Sequence, residues 1–142
     1  MVSVNSPQRP LPAPDPLTRP FWEAAAAGEL HIQRCAECGY YNHPPQPICD
    51  RCAGGALHFE PVSGRGSIYS FTINYQRNVA GFQDVVPYIN LVVELEEQPR
   101  LLLVSDVLGP RPDWVAIGHP VRVAFEPLSN GMAPPQFVSA AG

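Results

Sequence analysis

Four cysteines in two matched pairs constrain this chain more than any other feature. Cys35 and Cys38 form one Cys-x-x-Cys, with Gly39 behind it; Cys49 and Cys52 form a second, after ten intervening residues. Each pair closes a tight turn that aims two sulfurs at one point. Two such turns facing each other make a tetrahedral four-thiolate site. No cysteine is left over. Structural zinc suits a closed thiolate set that leaves no open coordination position. Rubredoxin-like iron stays open, since four thiolates also hold iron. Disulfides would need an oxidising compartment, and no basic-then-apolar leader directs export. No run reaches membrane-spanning length, so the expected setting is cytoplasmic, with no membrane partner.

All nine basic residues are arginine. With no lysine, the chain offers neither a Schiff-base amine nor a phosphate-loop lysine. A net charge of −4 with scattered arginines weighs against nucleic acid, which selects a basic face. Charged residues make up only 15% of the chain, which leaves uncharged surface for a protein partner.

Prolines at 7, 10, 12, 14 and 16 make residues 1–17 an extended or disordered arm. Thr18 is placed to cap a short helix from Arg19 to Gly28 that carries Phe21 and Trp22. Leu30 and Ile32 share a face of a strand leading into the first cysteine turn. Between the pairs, Tyr40, Tyr41, His43, Pro44, Pro45 and Pro47 form a rigid tip, with His43 expected on the surface. Gly54-Gly55 ends the second turn, and Leu57–Glu60 is the return strand.

From Val62 the chain turns β-rich. Ser67–Gln76 alternates strictly, placing Tyr69, Phe71, Ile73 and Tyr75 on one face. That row is either core or a stacking platform for a ligand. Residues 77–86, with Phe82 and Asp84, read as a mobile connection. Further strands are expected at Tyr88–Leu95, Arg100–Ser105 and Val121–Glu126, with a last extended piece at 134–138. Closely spaced strands with corner glycines and no long helix indicate a small OB-like barrel.

No catalytic constellation is present: no Gly-x-Ser-x-Gly, no phosphate loop, no His-Glu-x-x-His. His31, His43, His58 and His119 are scattered, and Asp84 and Asp106 read as solvated loop carboxylates. The residues alone describe a binding or scaffold module. An OB-fold binder of single-stranded nucleic acid and an iron electron carrier are its rivals.

In order, the chain presents a short aromatic helix, Cys-x-x-Cys-Gly, Pro44-Pro45, Cys-x-x-Cys, Gly64-x-Gly66-Ser-Ile-Tyr-Ser-Phe-Thr72, Pro87-Tyr88 and Ile117-Gly-His-Pro-Val121. Over residues 17–138 this resembles the DUF35 family of zinc-ribbon plus OB-fold proteins. Gln46 stands where an arginine commonly follows the two prolines, and Asp50 where a proline commonly follows the third cysteine. The resemblance implies a mainly β fold: an N-terminal helix and rubredoxin-like zinc ribbon (18–61), then a small OB-fold β-barrel (62–142). It implies Zn²⁺ at Cys35, Cys38, Cys49 and Cys52. It also implies a non-catalytic companion of a thiolase-superfamily protein, the two expected as a heterotetramer, with an acyl-CoA substrate and a CoA thioester at the partner interface. Sterol or bile-acid side-chain aldolases head the options; acyltransferase and hydroxymethylglutaryl-CoA-forming complexes follow. Phe21, Trp22, Phe82 and Phe137 are the expected partner contacts.

Overall fold

The computed structural model describes residues 15–75, 88–108, 111–128 and 131–141. Phe82, Asp84 and nearly all of the proline-rich arm lie outside these.

Helix α1 spans Arg19–Ala26. Its start differs from the sequence expectation. The Thr18 side chain makes no cap bond to the helix. Thr18 Oγ1 instead accepts from the Asp15 N–H at 3.1 Å, and the Thr18 N–H donates to Asp15 Oδ1 at 2.9 Å. This reciprocal pairing three residues apart is a capping box, so Asp15 opens the turn that feeds the helix. The bond from the Thr18 N–H holds the Asp15 carboxyl below its ordinary range. At the other end, Gly28 (φ 83°) and Glu29 donate to the carbonyls of Ala25 and Ala24, both at 2.9 Å. That is a Schellman stop, which ends the helix two residues before the expected Gly28.

The ribbon is a three-stranded antiparallel sheet of β1 (His31–Cys35), β2 (Tyr41–Asn42) and β3 (Leu57–Pro61), ordered β2-β1-β3. Leu30 and Ile32 are buried, as their alternation requires. Two glutamines brace this small sheet. Gln33 donates to the Gln46 carbonyl and accepts from its N–H, both at 2.9 Å. Gln98 does the same to the edge strand, accepting from the Tyr41 N–H at 2.9 Å and donating to the Tyr41 carbonyl at 3.0 Å. A side-chain amide thus stands in for a neighbouring strand and ties the ribbon to the barrel.

The barrel holds β4 (Arg65–Asn74), β5 (Tyr88–Leu95), β6 (Leu102–Leu108), β7 (Pro120–Phe125) and β8 (Pro135–Ser139), in the order β6-β5-β4-β7-β8. Every pairing is antiparallel. Side chains bridge the seam between β6 and β8. Ser105 Oγ donates to the Pro135 carbonyl at 3.0 Å, and Gln136 Nε2 donates to Asp106 Oδ1 at 3.3 Å. Strand β6 begins later than expected because Arg100 takes a left-handed φ of 61° and completes the turn.

The strict alternation expected along β4 is broken. Its register on β5 shifts between Ile68 and Ser70. Ile68 is buried, Tyr69 is 45% exposed, and Phe71 and Ile73 pack against the core. A bulge at Tyr69 changes the phase by one residue, so Tyr69 leaves the face that Phe71 and Ile73 share. Tyr75, 67% exposed, is not core either. One apolar cluster joins Phe21, Leu30 and Ile32 to Ile68, Leu91, Val93, Val121 and Phe137, so helix, ribbon and barrel share it.

Gly66 lies where β4 crosses close over β5. A Cβ there would stand 2.2 Å from the Glu94 carbonyl oxygen. Backbone cannot rotate away as a side chain can, so Gly66→Ala should destabilise the barrel by roughly 2 kcal/mol. Gly55, where an added Cβ would meet nothing within 4 Å, is the control. Gly55→Ala should be neutral or slightly stabilising. Chemical denaturation of the two variants side by side tests the pair; equal midpoints would refute the close approach.

Candidate metal centre

The two cysteine turns are built alike. In the first, the Gly39 N–H donates to the Cys35 carbonyl and the Cys35 N–H to the Tyr40 carbonyl, both at 2.9 Å. In the second, the Ala53 N–H donates to the Cys49 carbonyl and the Cys49 N–H to the Gly54 carbonyl, again at 2.9 Å. Each turn therefore needs a left-handed residue just after its second cysteine. Gly39 fills the first at φ 78° and Ala53 the second at φ 60°. The second turn does close on Gly54, as expected, and its left-handed residue is Ala53 just before it. A Cβ in that region costs roughly 1 kcal/mol. Ala53→Gly should recover about half of it, the rest being offset by unfolded-chain entropy. The readout is a higher unfolding midpoint at unchanged metal content.

The four Sγ atoms lie within 4.8 Å of one another, with Cys35–Cys52 at 3.5 Å and Cys38–Cys49 at 3.7 Å. Zinc–sulfur bonds of about 2.3 Å in a tetrahedron set sulfurs about 3.8 Å apart, so the donor set fits. Disulfide sulfurs would sit at about 2.05 Å. All four thiols are free; Cys35 and Cys49 are buried, while Cys38 and Cys52 are exposed.

The sulfurs sit in unequal surroundings. Burial pushes the Cys49 thiol up, but the N–H groups of Cys52 and Arg51 and the Asn42 amide outweigh it and bring it to about 6. The Gly54 N–H pulls the Cys52 thiol down, but the sulfurs of Cys35 and Cys38 overcome it and push it up to about 12. Crowded sulfurs cannot all ionise without a cation among them, and a divalent metal reverses that penalty.

A supporting shell surrounds the turns. Arg34 Nε donates to the Gly39 carbonyl at 2.9 Å, its guanidinium lies 4.7 Å from the Tyr41 ring centre, and Glu60 pairs with it at 3.3 Å. Hydrogen bonding from His58, aided by Arg34, holds the Glu60 carboxyl below its usual range. Asn42, 1% exposed, accepts on Oδ1 from the Asp50 N–H at 3.0 Å. Sequence reasoning missed Asn42 and Ala53. Ala53 was detectable, since it occupies in the second pair the place Gly39 holds in the first.

His43 is not the surface residue the sequence suggested. Its ring is largely buried, 5.4 Å from that of Phe21, and Nδ1 is enclosed without a partner. Burial lowers its pKa to about 4. The other histidines have structural partners: His31 with Glu29, His58 with Glu60, and His119 with Ser139, whose Oγ lies 2.8 Å from Nε2.

The aromatic residues expected at a partner surface divide. Phe21 (7% exposed) and Phe137 (3%) are buried in the chain's own core. They are already enclosed by the helix–ribbon–barrel cluster. Trp22, edge-on to Phe21 at 5.1 Å, is only partly buried.

A four-thiolate ribbon braced onto a five-stranded antiparallel barrel defines a zinc-ribbon plus OB-fold protein. Residues 22–58 match the family described as "ChsH2, rubredoxin-like zinc ribbon domain", and residues 59–126 that described as "ChsH2, C-terminal OB-fold domain". The chain is 33% identical to a DUF35 domain-containing scaffold protein of Methanothermobacter thermautotrophicus, over 65% of this chain and 68% of that one. It belongs to the DUF35 family. It is also 37% identical to the 3-oxo-4,17-pregnadiene-20-carboxyl-CoA hydratase alpha subunit of Mycobacterium tuberculosis, over 79% of this chain. It spans only about a third of that relative's length: 37%. A solved structure described as "Ltp2-ChsH2(DUF35) aldolase" superposes with a TM-score of 0.79 at 31% identity, covering 92% of this chain and 100% of that one. Among the described residues, no helix is long and apolar enough to cross a membrane.

Proposed function

We propose that this chain is a non-catalytic subunit of an acyl-CoA enzyme, with zinc shaping the ribbon and a thiolase-type partner supplying the chemistry. One observation carries the reading: likeness to the DUF35 chain of an aldolase complex over 92% of this chain and all of that one. A relative named as a thiolase subunit points the same way. The chain itself agrees, since its cysteines are gathered in one closed set and it has no lysine. The reaction we favour is retro-aldol cleavage of a sterol or bile-acid side chain held as a CoA thioester. Trp22 remains a candidate contact, and Phe82 stands as a proposal from the sequence alone.

A second reading has its own support. Relatives named as hydratase alpha subunits match this chain over about a third of their length (37% and 34%). The module would then serve an enoyl-CoA hydratase. Co-expression with thiolase-type and hydratase-type candidates encoded nearby separates the two. We expect a stable heteromer with the thiolase-type protein, carbon–carbon cleavage by the heteromer, and no turnover by this chain alone. Assembly with the hydratase alone would select the second reading; turnover by the isolated chain would overturn both.

A further inference from the structure

Asn42 is the most deeply buried polar side chain beside the metal centre, at 1% exposure. Its two ends are used unequally. Oδ1 accepts from the Asp50 N–H at 3.0 Å, which fixes the backbone directly after Cys49. Proline at position 50 would have no N–H to give, so the bond depends on the residue this chain carries there. Nδ2 is enclosed and has no hydrogen bond of good geometry, although the amide sits close enough to the Cys49 sulfur to draw that thiol's pKa down. An orphaned buried donor costs about 1–3 kcal/mol. Such a cost is removed when an acceptor is properly aligned with the donor, and the acceptor this amide already influences is the Cys49 sulfur.

We propose that Asn42 is a positioning residue of the metal centre: Oδ1 pins the second cysteine turn, and Nδ2 donates to the Cys49 sulfur in the metal-loaded site. The inference rests on the reading that the four cysteines hold a metal. Thiolate accepts hydrogen bonds far better than a thiol, because the charge strengthens the bond. The Arg51 N–H already lies 3.4 Å from the same sulfur, so Asn42 would add a second donor from another direction. Two donors on one sulfur fix its lone pairs and slow its departure from the metal.

The test uses the full chain loaded with ¹¹³Cd. Through-bond coupling from cadmium across sulfur to an N–H···S proton identifies each donor. We expect coupling to the Arg51 amide and to one Asn42 side-chain proton. Coupling at Arg51 without Asn42 would overturn the proposal while leaving the metal reading intact. Retention of no cadmium would overturn that reading and the proposal with it. Asn42→Asp keeps the acceptor for Asp50 and removes the donor. It should speed metal release to a chelator about tenfold. Release at the wild-type rate would count against Asn42 having any such role.

Discussion

Stripping the metal should unfold the ribbon and leave the barrel's inner strands paired. The ribbon sheet has strands of five, two and five residues, too little to stand alone. Its apolar residues, Leu30 and Ile32, are contributed to the shared core and do not form one of their own. What organises residues 35–54 is the pair of turns and the four sulfurs. Structural zinc sites of this kind contribute about 10–16 kcal/mol of apparent binding free energy, and binding is folding where no site exists beforehand. Hydrogen exchange separates the two lobes. Amides of Cys35 and Cys49, bonded within the turns, should lose protection on chelation, while Leu91 and Val93 in the inner strand β5 should keep theirs. Cys49→Ser should reproduce the chelated pattern. Uniform protection before and after metal removal would refute a metal-organised ribbon.

That division also explains what could be read from the sequence. The gathering of the four cysteine sulfurs was legible in their spacing, because two Cys-x-x-Cys turns are local and leave few alternatives. The order of strands was legible from alternation and glycine punctuation. Features that depend on tertiary contact were not. The bulge at Tyr69 is invisible to a period-two count, because one inserted residue looks like ordinary alternation from either side. Asp15 out-competed Thr18 as the cap through a bond whose geometry no residue pattern fixes. Phe21 read as a spare aromatic because a short helix cannot bury it alone, and Phe137 because it falls in a short last strand. The ribbon and barrel together bury both. The role of Gln98 as a substitute strand exists only once β2 lies beside it.

His43 gives the second large expected effect, a loss of stability in mild acid. Its unfolded pKa is the ordinary 6.5, and burial lowers the folded value to about 4. The folded state therefore resists a proton that the unfolded chain accepts. Above pH 6.5 both states are neutral and the full stability is present. As pH falls from 6.5 towards 4 the unfolded chain gains protons first, so stability drops by up to about 1.4 kcal/mol per pH unit. The total approaches about 3 kcal/mol near pH 4. Acid also protonates thiolates and releases metal, so wild-type data alone would mix the two causes. His43→Leu separates them. It keeps an apolar body against the Phe21 ring, removes the enclosed Nδ1, and cannot titrate. At pH 7.5 the variant should be as stable as wild type or slightly more so, because the orphaned nitrogen is gone. Between pH 6.5 and 4.5 it should lose less stability than wild type, and the gap should widen as pH falls. Parallel curves for the two proteins across that window would mean that His43 titrates normally and is not buried in solution.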